Sequence, residues 1–196
     1  MKSLIYDFET LGTNARESVV ISLAALAFDS SFFGEPGYTY EELLENAVTV
    51  KFDVADQVRT YGRKIDQDTL NWWSEQSEEA QKQLKPAADD MPIANLHAWL
   101  TATGNPAEIK RIYTRGNTFD PMFLESLLGE VGKKDPYPFY NVRDTRSTIE
   151  GMTLLNKSIR NSFMVPGLED KFVAHDAKHD VAMDVMRMQY LVQEMI

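Results

Sequence analysis

The chain has 196 residues, no cysteine, and a formal net charge of −10 from 20 basic and 30 acidic side chains. The missing cysteines exclude disulfides, thiolate zinc fingers and thiol catalysis, and fit a reducing compartment. The acidic balance argues against tight nonspecific binding to duplex DNA, which rests on phosphate neutralisation by Lys and Arg; it leaves room for an enzyme that holds one strand end through metal ions and a local basic rim. The length suits one domain spanning 1–196.

In chain order, residues 3–8 read as a strand whose near-continuous apolar content predicts burial on both faces. Residues 19–28 form the longest apolar stretch, a second strand too short to span a membrane. The run Met1 to Tyr6 ends on the acid Asp7, unlike a targeting segment, so a soluble cytoplasmic protein is expected. After the Gly34-Glu35-Pro36-Gly37 link, residues 47–54 predict a third strand, alternating Val48, Val50 and Phe52 against Thr49, Lys51 and Asp53. Short connections predict an antiparallel meander. A helix over 68–76 carries Leu70, Trp72 and Trp73, and Ser77 caps a second helix over 78–84. The spacing over 92–102 places Ile93, Leu96, His97 and Leu100 on one helix face, which makes His97 a core residue. A fourth strand over 109–114 leads to a helix over 121–128, with Asp120 as N-cap and Pro121 in its first position. A fifth strand over 140–143 precedes a helix capped at Asp144-Thr145; 156–170 reads as loop. The last helix runs from about 176 to 194, with Val181, Val185, Met188, Val192 and Met195 spaced 4-3-4-3. The order is mixed α/β.

Acids and a histidine fall at the ends of these elements. Asp7 and Glu9 lie two apart on the first strand, so alternation puts both on the face of Ile5, about 7 Å apart. Leu4, Tyr6 and Phe8 point the other way. A charged pair ending an apolar central strand must be solvated or neutralised, and a hard divalent cation such as Mg²⁺ or Mn²⁺ prefers oxygen ligands. Asp120 is explained as a cap alone, yet it also faces the end of the preceding strand, where ligands bind in mainly parallel sheets. His175 and Asp180 are five apart, or about 140° around a helix, and diverge if both are helical. They converge if His175 lies in the loop ahead of the helix. Asp180 is also one of a stripe with Asp176 and Asp184, open to reading as a solvated face.

Asp7-Phe8-Glu9-Thr10, Asn117-Thr118-Phe119-Asp120 and His175-x-Ala-x-x-Asp180 occur in that order over nearly the full length. Together they resemble the three motifs of the DnaQ-like 3′–5′ exonucleases of the ribonuclease H-like fold, in the subgroup with four acids and a histidine (DEDDh). Asp7-Phe8-Glu9-Thr10-Leu11-Gly12, Trp72-Trp73, Arg115-Gly116 and Ala174-His175-Asp176 look most like the T-even phage branch of that family. A related exoribonuclease clan is similar too. The resemblance implies a central mixed five-stranded sheet, three antiparallel strands then two parallel, flanked by helices. It implies that Asp7, Glu9 and Asp180 hold one divalent ion, that Asp7 bridges to a second with Asp120 acting through water, and that His175 is the general base. Thr10, Phe119 and Trp73 are the expected substrate contacts, with Trp72 a further stacking candidate; Arg143, Arg146, Lys157 and Arg160 are candidates for backbone phosphates.

The expected reaction is hydrolysis of single-stranded DNA from its 3′ end to nucleoside 5′-monophosphates, with RNA as the alternative substrate. The expected cofactors are two ions of Mg²⁺ or Mn²⁺. The expected partner is a strand end, with no membrane, in the host cytoplasm if phage-encoded; a homodimer is open. A competing reading pairs His175 with His179 as metal ligands and His179-Asp180 as the dyad of all-helical phosphohydrolases. A third is a non-catalytic module that kept the fold.

Overall fold

The first strand lies at the centre of the sheet. In the computed structural model, which describes residues 1–34, 36–154 and 160–195, the strands β1 (Lys2–Thr10), β2 (Val20–Asp29), β3 (Val48–Lys51), β4 (Arg111–Thr114) and β5 (Val142–Asp144) form one sheet in the order β3-β2-β1-β4-β5. The pairs β1–β2 and β2–β3 are antiparallel, and β1–β4 and β4–β5 are parallel. This is the expected five-stranded mixed sheet.

The period of two sorts β1 onto two cores. Leu4, Tyr6 and Phe8 pack with Leu23 and Ala25 of β2 against the helices α5 (Leu96–Thr103) and α6 (Asp120–Glu130). Ile5 packs with Ala24 and Leu26 against α1 (Tyr40–Asn46), α7 (Thr145–Met152) and α8 (Ala177–Met195). Asp7 and Glu9 share the parity of Ile5, so they continue the α8 face. A smaller cluster of Leu11, Val19, Ile21, Trp73 and Ala80 lies under α3 (Gln67–Ser74) and α4 (Glu78–Gln81). Arg63, just past α2 (Val54–Tyr61), is buried and donates to the carbonyls of Ala15 and Ser18, which ties down the loop after β1.

Several boundaries differ from the pattern. The strand expected over 47–54 stops at Lys51, because Asp53 accepts from the Asp56 backbone and starts α2. α1 was not expected; Thr39 and Glu42 form its capping box. The helix over 78–84 divides into α4 and a 3₁₀ turn, Lys82–Leu84. β5 begins two residues later than expected, after a 3₁₀ turn at Phe139–Asn141. His97 is half-buried rather than in the core. Asp144 does cap α7, accepting from Ser147 N–H at 2.8 Å. Lys157 and the first residues of the 156–170 segment lie outside the described residues, as does the side chain of Met195. Among the described residues, no helix is long and apolar enough to cross a membrane.

Candidate active site

The parallel strands β1, β4 and β5 end together, and the acidic motifs meet there. Oxygen atoms of Asp7, Glu9 and Asp180 all lie within 4.8 Å of one another. Two come from β1, where the register slips between Glu9 and Thr10; such a bulge re-aims the strand end. The third comes from the first turn of α8. Asp176 starts that turn, its carboxylate accepting the N–H groups of Lys178 (3.0 Å) and His179 (3.4 Å).

Removal from water and mutual repulsion act together on these groups. Burial, then the charges of Asp120, Glu9 and Asp180, push the Asp7 carboxyl far above the ordinary carboxylate range. Burial and Asp180 do the same to Glu9. Asp180 is raised to about 7, chiefly by burial and the charge of Asp184, with Arg115 and Arg187 opposing. Carboxylates so crowded are held ionised at neutral pH by a cation. The donor set is all oxygen, which suits Mg²⁺ or Mn²⁺.

Asp120 occupies a different place from the expected cap. It is the first residue of α6, with Phe119 preceding it as cap and Pro121 following. Its Oδ1 accepts the backbone N–H of Phe8 at 3.1 Å, between the two β1 acids in sequence. The carboxylate thus joins α6 to the metal strand instead of closing its own helix. It is 2% exposed, raised to about 7 by burial, and flanks Asp7 from outside the close triad.

His175 sits in the loop before α8, as the convergence argument requires. Its φ is +61°, the one positive value at a non-glycine residue among the described residues. Its N–H donates to Asp180 Oδ2 at 3.1 Å, and its ring meets the Trp72 indole edge-on, centroids 4.7 Å apart. Partial burial lowers its pKa below the ordinary histidine value. His179 faces elsewhere: its Nδ1 lies 2.9 Å from the Tyr40 hydroxyl and 3.3 Å from Val173 N. Its ring is outside the acidic triad, the one such cluster among the described residues, and the chain is not all-helical. Both observations run against the paired-histidine reading.

Beside Glu9 opens a cleft of about 630 Å³, lined by Thr10, Asp66, Thr69, Trp72 and Phe119 among others. This volume falls in the usual range for small-ligand sites. The two tryptophans separate here. Trp73 is 1% exposed and its indole N–H donates to Thr10 O at 3.0 Å. It braces the strand end and borders the cleft with little of its surface exposed. Trp72 is 40% exposed. Phe119 is half-buried against Phe123.

The acidic stripe of α8 is not a solvated face. Asp176 caps, Asp180 belongs to the triad, and Asp184 is 1% exposed. Asp184 accepts from Arg115 (2.5 Å), Arg187 (2.7 Å) and Thr145 (2.6 Å). Arg115 also reaches Asn161 and borders a narrow crevice with Asp7 and Asp180. Of the basic candidates, Arg146 is exposed and acts on the charge of Asp120. Arg143 is exposed and donates to the Tyr140 and Val142 carbonyls, and Arg160 is exposed.

Residues 2–189 match the family model described as the 3′-5′ exoribonuclease Rv2179c-like domain. The chain is 31% identical over 210 aligned positions to an exodeoxyribonuclease of Enterobacteria phage T4, covering 98% of this chain and 90% of that protein. Among solved structures, Exonuclease I superposes with a TM-score of 0.66 at 18% identity. The zinc-ion-bound form of the E. coli Exonuclease I complex with single-stranded DNA superposes at 0.61 and 17%. The chain spans 41% and 39% of those two structures, which share its ribonuclease H-like fold. With the motifs gathered at one sheet edge, the chain belongs to the 3′-5′ exoribonuclease Rv2179c-like domain family of DnaQ-like nucleases and is a 3′–5′ exonuclease.

Proposed function

We propose that residues 1–196 act as a single exonuclease domain that degrades single-stranded DNA from the 3′ end. The observation that carries this reading is the triad of Asp7, Glu9 and Asp180 within 4.8 Å, adjoining an open cleft. Asp7, Glu9 and Asp180 would hold one Mg²⁺ or Mn²⁺, and Asp7 with Asp120 would serve a second. Held there, such ions would neutralise the carboxylates and supply charge stabilisation to the attacking and leaving oxygens.

The chain's own groups do the rest. Neutral His175 takes a proton from the attacking water as general base; partial burial, which lowers its pKa, favours that neutral form. Water adds at the last phosphodiester phosphorus and the bond to the 3′ oxygen breaks, that oxygen taking up a proton from solvent while His175 later returns its own to solvent. The terminal nucleotide leaves as a 5′-monophosphate and the shortened strand keeps a 3′-hydroxyl. Trp72 and Phe119 stack on the terminal base, Thr10 offers its backbone to the same nucleotide, and Arg146 faces backbone phosphate.

The T4 relative supports DNA as the substrate; the family description favours RNA as the second reading. Matched 3′-labelled DNA and RNA oligonucleotides of one sequence, with Mg²⁺, separate the two. DNA turnover at least tenfold faster in kcat/KM, a difference of about 1.4 kcal/mol, supports the proposal; the reverse order replaces it with an exoribonuclease.

A further inference from the structure

His175 holds a backbone conformation that is uncommon outside glycine. Such a residue persists only where its surroundings over-determine it. One constraint is the bond from its N–H to Asp180. The other comes from Gln83, in the 3₁₀ turn Lys82–Leu84 and 92 residues away in sequence.

Gln83 Nε2 donates to the His175 carbonyl at 2.8 Å. Its Oε1 accepts the Ser22 hydroxyl at 2.6 Å. A carbonyl only accepts, so the amide nitrogen must face His175 and the oxygen must face Ser22. Ser22 is 2% exposed and is the β2 partner of Glu9 in the sheet register. The strand that carries Glu9 is therefore linked through Ser22 and Gln83 to the peptide of His175. Gln83 and Asp180 grip that residue from its two sides, and Trp72 closes on its ring.

We infer that Gln83 is a positioning residue for the hydrolytic reaction: with Ser22 orienting its amide, it locks the left-handed conformation of the His175 loop, whose backbone is tied to Asp180 of the acidic cluster. This rests on His175 being the general base. Gln83 makes its side-chain hydrogen bonds to Ser22 and His175, not to a proposed metal ligand, and is absent from the cleft lining.

The test is a double-mutant cycle on the full chain, with Mg²⁺ and a single-stranded DNA oligonucleotide as the probe. Gln83→Ala and Gln83→Glu are each made alone and with His175→Ala. Gln83→Glu keeps the shape but offers no N–H in its ionised form, so it carries the test if Gln83→Ala does not fold. Each single variant is expected to lose about 10- to 100-fold in kcat, the scale of a small misplacement of a catalytic group. KM and the Mn²⁺ affinity measured by calorimetry should stay within about twofold, and in the His175→Ala background the same changes should add no more than about twofold. An equal kcat loss in both backgrounds, a loss confined to KM, a weakened Mn²⁺ site, or wild-type kcat in both Gln83 variants overturns the positioning role. Wild-type kcat in His175→Ala alone instead overturns the base reading on which it rests.

Discussion

Asp180 Oδ2 accepts the backbone N–H of His175 at 3.1 Å. One carboxylate thus serves both the acidic cluster and the loop of the proposed base, so occupancy of the cluster and placement of His175 are mechanically linked. The positive φ of His175 belongs to the same arrangement, since it turns the chain sharply enough for residues five apart to meet.

The first prediction concerns protons and metal. Asp7, Glu9, Asp120 and Asp180 all have raised pKa values in the fold, about 7 for the last two. A raised pKa means the fold favours the protonated form. Their contribution to metal-free stability is complete below the unfolded carboxyl values of about 4, and is lost as pH rises through the folded values. Mg²⁺ should therefore raise Tm more at pH 8 than at pH 5.5, and Mn²⁺ binding should release protons. Calorimetry in two buffers of different ionisation heat reads the release; equal Tm shifts at both pH values would show that the carboxylates are not coupled to the ion.

His175 should control the acid side of the rate profile. Only its neutral form accepts a proton, and burial lowers its pKa. The fall in kcat on acidification should thus lie below the ordinary value of about 6.5. His175→Ala should cost about 10²- to 10⁴-fold in kcat, erase that limb, and leave Mn²⁺ affinity in place. A limb unchanged in the variant assigns the base elsewhere.

The two tryptophans should part company under substitution. Trp73→Ala removes a buried indole and its bond to Thr10, and should cost about 3–5 kcal/mol of stability by urea unfolding. Trp72→Ala should change stability little but weaken strand binding by about 1–3 kcal/mol, on DNA of any sequence. Matching losses of stability from both would contradict the assignment.

Asp176 and Asp184, eight residues apart on one stripe, should also differ. Asp176→Ala removes a helix cap, worth about 1 kcal/mol. Asp184→Ala strands the buried Arg187 and should cost about 3–5 kcal/mol. Urea midpoints for the pair check this; near-equal values would mean the Asp184 cluster contributes no net stability.

What could be read without coordinates was what repeats locally. Alternation placed Asp7 and Glu9 on one face of β1, and the same parity sorted Ile5 from Leu4, Tyr6 and Phe8. The expected helix start near 176 left His175 in the preceding loop, the condition under which it and Asp180 converge. The start of α6 was legible, but not that Asp120 would answer the N–H of Phe8, 112 residues away, in place of a helix donor. α1 carried a readable capping box at Thr39 and Glu42, and α2 a capping Asp53 and a left-handed Gly62. The alternation over 47–54 masked the second. The Asp184 cluster and the Gln83 link leave no mark in local pattern, because Arg115 and Ser22 reach them only through the tertiary fold.

The most direct test of the account is mononucleotide release from a 3′-labelled single strand with Mg²⁺, comparing wild type with Asp7→Asn. Asp7 is central to both proposed ion positions, while the amide keeps its shape and removes the charge. The account predicts nucleoside 5′-monophosphates released stepwise from the 3′ end by wild type, and a loss of at least about 10³-fold in the variant, the scale seen when a principal electrostatic group is removed. Equal release by the two proteins would contradict it.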